Sequence, residues 1–332
     1  MNASMSAFRR IDGAGALPSE LKGGVVAIGN FDGVHRGHVE VLSQVLAMAK
    51  AEDAPAIVLT FEPHPRKYFQ PDAPHFVLTP AHLRAELLEA LGFDAVVEHP
   101  FDADCASLSA EQFISNILIE QLGVSQVVVG FDFHFGKGRK GNPKLLAEAG
   151  EKLGFGVTCV EAFDDEGGLV VSSSRIRARL EEGDVSQASG LLGYRYAVEA
   201  PIIKGQQLGR TLGFPTANMA LPKDTRLREG IYAVRLRRAD GTLYDGVASF
   251  GRRPTVTEDG APLLETFVFD FSGDLYGELC RVSFFAFLRP ELKFDGLDAL
   301  TAQIRQDEAE ARAALSGVRP LSELDARLNF NL

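Results

Sequence analysis

The sequence is poor in cysteine: Cys105, Cys159 and Cys280 are scattered, odd in number and without a Cys-x-x-Cys pair. That excludes a disulfide framework and a cysteine-based zinc site, and makes a reducing compartment the simplest expectation. Long apolar runs are missing too. Nothing approaches the roughly 18 residues a membrane helix needs, and the N-terminus has no apolar signal region. A soluble, cytoplasmic protein without a membrane partner is expected. Basic charge is short, with 34 Lys and Arg against 45 Asp and Glu, a net charge of −11. Nucleic-acid binding usually requires a basic footprint, so no such partner is expected, whereas a nucleotide needs only a local basic patch. Histidine is absent after residue 134: all seven lie at 35, 38, 64, 75, 82, 99 and 134. Any base in the second half must therefore be another group, most simply a carboxylate. The remainder is ordinary for a globular chain, 45% hydrophobic and 24% charged over 332 residues, enough for two domains. Oligomeric state is not legible.

One stretch organises the first half, Gly29-Asn-Phe-Asp-Gly-Val-His-Arg-Gly-His38. It follows Val25-Val-Ala-Ile28, an apolar run that reads as a buried strand. It precedes Val39, Val41, Leu42, Val45, Leu46 and Met48, spaced to line a helix. His35 and His38 thus stand where a strand gives way to a helix, a place where parallel sheets bind ligands and backbone N–H groups favour anions. Gly33 and Gly37 allow backbone to approach a phosphate closely. A polar surface turn is the plainer alternative. Further strands are expected at 56–61, 94–98, 126–130 and 155–161, and residues 1–23 as an irregular lead-in. Helices are expected to start at Thr79-Pro80, at the capping box Ser109-Ala-Glu-Gln112 and at Asn142-Pro143. Alternation of this kind implies βαβ units and a doubly wound parallel sheet.

Three further segments of this half are site candidates. Gly130-Phe-Asp-Phe-His-Phe-Gly-Lys-Gly-Arg-Lys-Gly141 follows the fourth strand, with Asp132 and Phe133 nearest the strand end. Its Gly136-x-Gly138-x-x-Gly141 spacing is not at the first βα turn and is crowded by Lys137, Arg139 and Lys140. It reads as a basic lip for phosphates or as a solvated loop, not as a dinucleotide fingerprint or Walker loop. Ser172-Ser-Ser-Arg-Ile-Arg177 caps a helix, which suffices to explain it. Hydroxyls, helix dipole and arginines together also make an anion site. Glu62-Pro-His-Pro65 reads as a rigid turn, with direct contact by His64 as the alternative.

From Tyr196 the pattern changes to short alternating runs at 196–203, 231–239, 243–250, 264–271 and 279–287, parted by turns such as Ala239-Asp-Gly241. That implies an antiparallel barrel or sandwich, followed by a helix near 296–315 with Leu297, Leu300 and Ile304 on one face. Gly209-Arg-Thr-Leu-Gly-Phe-Pro-Thr-Ala-Asn218 is either a turn-rich loop before a strand or a phosphate loop. In the second reading Thr216 and Asn218 offer neutral oxygens of the type Mg²⁺ accepts. Glu265 by itself reads as an exposed strand residue.

Phe31-Asp-Gly-Val-His-Arg-Gly-His38 resembles the His-x-Gly-His signature of nucleotidyltransferases, and its full wording that of the bacterial bifunctional riboflavin kinase/FMN adenylyltransferase family. Leu212-Gly-Phe-Pro-Thr-Ala-Asn218, Gly251-Arg-Arg-Pro-Thr255, Asp270-Phe-Ser-Gly-Asp-Leu-Tyr-Gly277 and Leu288-Arg-Pro-Glu291 match the same family. The resemblance runs from about residue 24 to 315. It implies an N-terminal adenylyltransferase domain of residues 1–186 and a C-terminal kinase domain of residues 187–332. The latter would be a small antiparallel β-barrel with a C-terminal helix. It further implies riboflavin, FMN and ATP as substrates and Mg²⁺ as cofactor.

By residue, the resemblance implies catalytic roles for His35, His38 and Glu265, and metal ligands in Thr216 and Asn218. ATP and phosphate contacts would come from Asn30, Phe31, Asp32, Gly33, Gly37, Ser173, Ser174, Arg177, Gly209, Arg210, Gly213 and Pro215, and flavin contacts from Asp132, Phe133 and Arg289. Phe267 departs from the family's usual His, Ser249-Phe250 from its usual Asn-Ile, and Lys204-Gly-Gln-Gln-Leu-Gly209 is less glycine-rich than many relatives. A protein with one dominant activity and a non-catalytic flavin-binding regulator are the alternatives.

Overall fold

A computed structural model describes residues 7–13, 15–205, 213–252 and 262–330. The chain forms two compact units, residues 1–172 and 173–332.

The first unit is built on a six-stranded sheet in the order β1-β4-β3-β2-β5-β6, with every neighbouring pair parallel. The strands are β1 (Arg9–Asp12), β2 (Val25–Ile28), β3 (Ala56–Glu62), β4 (Ala95–Pro100), β5 (Gln126–Gly130) and β6 (Gly156–Val160). Between them run α1 (Arg36–Glu52), α2 (Pro65–Phe69), α3 (Ala81–Leu91), α4 (Ala103–Ser107), α5 (Ala110–Gln112, continuing as π-helix over Phe113–Leu122) and α6 (Pro143–Leu153). The central strands carry no alternation because helices cover both faces. Val25–Ile28 is buried throughout, and Ile57, Leu59, Val127 and Val129 point to the face filled by Phe113, Ile117 and Leu118. From β2 the chain winds to β3 and β4 on one side and to β5 and β6 on the other. The switch point lies between β2 and β5.

Two expectations in this unit need correction. Arg9–Asp12 is not irregular but an edge strand on β4; Arg-Arg-Ile-Asp has no apolar run to signal it. Pro80, rather than Thr79, occupies the cap position of α3, and it supplies no side-chain cap bond. The Thr79 hydroxyl is instead turned to Gly33, accepting its N–H at 2.8 Å. The capping box of Ser109 with Gln112 forms as read, and Asn142 before Pro143 caps α6 by accepting the N–H of Leu145.

The second unit opens with α7 (Ser173–Glu182) and α8 (Val185–Leu192) and continues as a closed six-stranded barrel. Its strands are β7 (Ala197–Ile203), β8 (Thr216–Ala220), β9 (Gly230–Arg237), β10 (Leu243–Arg252), β11 (Pro262–Val268) and β12 (Leu279–Arg289), in the order β10-β11-β8-β7-β12-β9. Helices α9 (Leu297–Leu315) and α10 (Glu323–Asn329) follow. Tyr232, Val234, Phe250, Leu264, Met219 and Phe284 fill the inside of the barrel and are fully buried. Ile231, Ala233, Val247 and Phe269 on the outside pack against Ala311 and Leu315 of α9.

Two sequence expectations shift here. Thr216-Ala-Asn218 does not precede a strand but begins one, β8. The packed face of α9 runs through Asp307, Ala311 and Leu315, while Leu297 is exposed. Helix α10 was not anticipated. Its Asp325 is fully buried, receiving the N–H of Arg195 and of Leu321 and an ion pair from Arg195.

Candidate active sites

The turn after β2 is strained and held in place. Phe31, Gly33 and Val34 have φ of 48°, 94° and 36°. Two non-glycine residues in the left-handed region within four positions persist only where the surroundings over-determine them. The clamp is Asp32, whose Oδ1 accepts the N–H of Leu78 at 2.9 Å and of Thr79 at 3.0 Å. Thr79 in turn receives Gly33. His35 caps α1, its Nδ1 accepting the N–H of His38 at 3.2 Å. The two imidazoles stack with centroids 3.6 Å apart and planes 15° from parallel. The buried Phe31 ring meets His38 edge-on at 5.3 Å. A Cβ on Gly37 would lie a tight 3.3 Å from the His35 ring and from the Val171 carbonyl, so glycine lets α1 start this close without displacing either. Burial, and secondarily the neighbouring His35, hold the His38 pKa well below 6.5. Its Nδ1 is buried without a hydrogen-bond partner among the described residues. His38 is therefore neutral at pH 7.

Several other candidates leave the same edge of the sheet. Asn30 follows β2, its carbonyl receiving Thr60 Oγ1 at 3.3 Å. Because β5 lies beside β2, the loop that begins after Gly130 starts next to the histidine turn. Asp132 is exposed there, and Phe133 stacks on Phe135 at 5.4 Å. The loop's Lys137, Arg139 and Lys140 are exposed, and Phe135 pairs with Gly141 across its base. His64 caps α2 by accepting the N–H of Arg66, as a rigid turn implies. Ser173, Ser174 and Arg177 occupy the first turn and a half of α7, in the second unit.

The barrel gathers its candidates by strand register. Glu265 of β11 stands opposite Asn218 of β8 and Ser249 of β10, while Phe267 stands opposite Thr216 and Val247. Opposed residues share a face with Cβ atoms about 4.5–5.5 Å apart. Thr216, Asn218 and Glu265 thus form one patch on the outer face. Thr216 and Glu265 line a cavity of about 450 Å³, together with Leu300 and Ile304 of α9 and Arg289, and the buried Asn218 lies beside Glu265. Asn218 donates its amide N–H to the Thr216 carbonyl at 3.0 Å, and its Oδ1 is buried without a hydrogen-bond partner among the described residues. An orphaned, neutral oxygen beside a hydroxyl and a carboxylate fits a hard divalent cation. Gly213, with φ of 86°, and the exposed Pro215 lead into β8. Gly209 and Arg210, and Arg253 to Thr255, lie outside the described residues.

The FAD synthetase family model matches residues 17–175, and the riboflavin kinase family model residues 192–315. The bifunctional riboflavin kinase/FMN adenylyltransferase of Escherichia coli K12 is 38% identical over 95% of this chain and 100% of its own. The chain belongs to that family. The Pseudomonas fluorescens member is 40% identical over 90% of this chain and 94% of its own. A crystal structure described as a macrolide-efflux protein from Streptococcus pneumoniae shares the fold. Its TM-score is 0.81 at 30% identity, covering 92% of this chain and 98% of the other. Among the described residues of this family member no helix is long and apolar enough to cross a membrane.

Two groups of residues escaped the sequence reading. Asp307, deep in the barrel cavity, binds Arg289 through both carboxylate oxygens at 2.7 and 2.6 Å. A buried acid at the right helical phase was the available signal. In the first unit Tyr68, Phe69 and Phe101 meet edge-to-face at 5.2–5.7 Å where β3 and β4 end, with Phe69 64% exposed. Only the strand order brings them together.

Proposed function

We propose that this chain makes FAD from riboflavin in two ATP-dependent steps. The barrel domain, residues 187–332, would phosphorylate riboflavin, and the α/β domain, residues 1–186, would adenylylate the product, in the cytoplasm. In the first step Glu265 takes the proton of the ribityl hydroxyl as its oxygen attacks the γ-phosphorus of ATP, and ADP leaves. Placing that base is typically worth about 10²–10⁴ in rate. Thr216 and Asn218 would hold Mg²⁺, which neutralises phosphate charge when bound. Gly209, Arg210, Gly213 and Pro215 would wrap the phosphates, and Arg289 would meet the flavin.

In the second step a phosphate oxygen of FMN attacks the α-phosphorus of a second ATP, and pyrophosphate leaves. His35 and His38 face the charge that develops there. A neutral His38 donates one N–H, and an approaching anion favours its protonated form, so the imidazole becomes a better partner as phosphate arrives. Ser173, Ser174 and Arg177, with Asn30, Gly33 and Gly37, would hold the phosphates. Phe31 and Asp32 shape the turn. Asp132, Phe133 and the exposed aromatic faces of Tyr68 and Phe69 suit a flat flavin ring.

The observation that carries this reading is the register of β8, β11 and β10, which sets Thr216, Asn218 and Glu265 on one face, Thr216 and Glu265 lining one cavity. The test is chromatographic: the purified protein is incubated with riboflavin, ATP and Mg²⁺, and FMN and FAD are followed with time. FMN should appear first and FAD after it. FMN accumulating alone removes the adenylyltransferase assignment. No product from riboflavin or from added FMN leaves a flavin-binding protein without turnover.

A further inference from the structure

One buried ion pair in the barrel cavity has a member, Asp307, that takes no part in the chemistry above. Asp307 is 3% exposed on α9. Its Oδ1 accepts from Arg289 Nε at 2.7 Å and from Gln303 Nε2 at 3.0 Å, and its Oδ2 accepts from Arg289 Nη2 at 2.6 Å. Arg289 ends β12, and its Nη1 donates to the Pro290 carbonyl at 2.9 Å. A guanidinium has five N–H donors in one plane. These contacts use three, so among the described residues one N–H is left on each Nη, on the wall of a cavity of about 450 Å³.

Leu300, Ile304 and Asp307 follow one another at helical spacing on α9, and all three line that cavity. The helix face that supplies an apolar wall therefore also fixes the direction of Arg289. Stability alone does not explain the pair, because a buried ion pair usually gains little over apolar groups of the same volume. Side-on bidentate pairing does something apolar packing cannot: it locks the plane of the guanidinium.

We propose that Asp307, braced by Gln303, is a positioning residue for the flavin. It holds Arg289 so that the two remaining N–H groups meet a carbonyl oxygen of the flavin ring. The proposal rests on the riboflavin kinase reading, but its test reads binding and does not require turnover.

The experiment titrates the full-length protein against riboflavin, and separately FMN, by quenching of flavin fluorescence, and measures KM and kcat for riboflavin and ATP. Asp307→Asn should weaken both flavins about tenfold or more, the scale on which loss of an orienting partner acts at metal sites. KM for ATP and FAD formation from supplied FMN should stay unchanged. In an Arg289→Ala background the same substitution should add less than about twofold, since Asp307 acts through Arg289. Gln303→Ala, which leaves the pair itself intact, should weaken flavin a few-fold at an unchanged melting temperature, and so covers the case where Asp307→Asn folds poorly. Independent, multiplying effects of Asp307→Asn and Arg289→Ala would overturn the proposal. So would a loss confined to FMN, which would point to its phosphate. A wild-type protein that binds riboflavin but makes no FMN would sink the kinase reading while leaving the positioning role open to the same titration.

Discussion

Replacing Asp32 by Ala separates a scaffold residue from a nucleotide ligand. The carboxylate accepts two backbone N–H groups, at 2.9 and 3.0 Å, from residues that are themselves 1–2% exposed. Charge-assisted hydrogen bonds of this kind contribute roughly 1.5–3 kcal/mol each, and removing the acceptor strands both donors. The expected loss is therefore about 3–6 kcal/mol. In a unit of 172 residues each kcal/mol shifts the midpoint by about 2–4 °C, so the first unit should melt roughly 6–24 °C lower by calorimetry. Asp32→Asn keeps one acceptor oxygen and should cost about half as much. Since the freed segment also releases Gly33 through Thr79, FAD formation should fall sharply while FMN formation from riboflavin persists. A melting temperature unchanged within a degree or two, together with a raised KM for ATP, would refute this reasoning and make Asp32 a direct ligand.

Four other outcomes are expected. His38→Ala should abolish FAD but spare FMN formation, and Glu265→Ala should stop FMN formation from riboflavin while FAD still forms from supplied FMN, both read by chromatography. Because burial lowers the His38 pKa beneath 6.5 in the folded state, the unfolded chain binds the extra proton first. Stability from this group is complete above that value and is lost as pH falls towards the folded pKa. Urea midpoints measured from pH 7.5 to 5 should drop more steeply for the wild type than for His38→Asn. Phe267→His, which restores the family's usual residue, should keep the kinase reaction and lower stability by about 1 kcal/mol. Phe267 packs edge-on against Phe214 at 5.3 Å and Phe269 at 5.7 Å, and a ring of similar size replaces part of that contact; urea titration and flavin KM check it.

The parallel sheet was legible because its signals are local: an apolar run, a glycine-rich turn, a capping box. The same holds for the place of His35 and His38, since strand–turn–helix is read within twenty residues. The clamp on that turn was not legible. Asp32 and Thr79 are 47 residues apart, and Thr79 beside Pro80 reads as a cap by every local rule. Strand β1 hid for a related reason. An edge strand of Arg-Arg-Ile-Asp buries too little to impose a period on its sequence, and its partner β4 lies 86 residues on. In the barrel, Thr-Ala-Asn looked like the end of a loop because Gly and Pro precede it. That β8 is a strand follows only from its pairing with β11 and β7.

The barrel shows why the site sits on its outside. Six strands enclose a space just large enough for their own side chains, and Tyr232, Phe250, Leu264 and Phe284 fill it. No ligand can enter, so every residue available for chemistry must come from the alternate set that faces outward. Along β11 the alternation gives Leu264 and Thr266 to the inside and Glu265 and Phe267 to the outside. A one-residue slip in register would exchange them and bury the carboxylate. The register is held against that slip by Gly246, where a Cβ would lie 2.7 Å from the Phe267 carbonyl. A larger residue there would push β10 and β11 apart beside the proposed base. The chemistry proposed for Glu265 therefore depends on a glycine that touches neither substrate, through the pairing of the two strands that present the site.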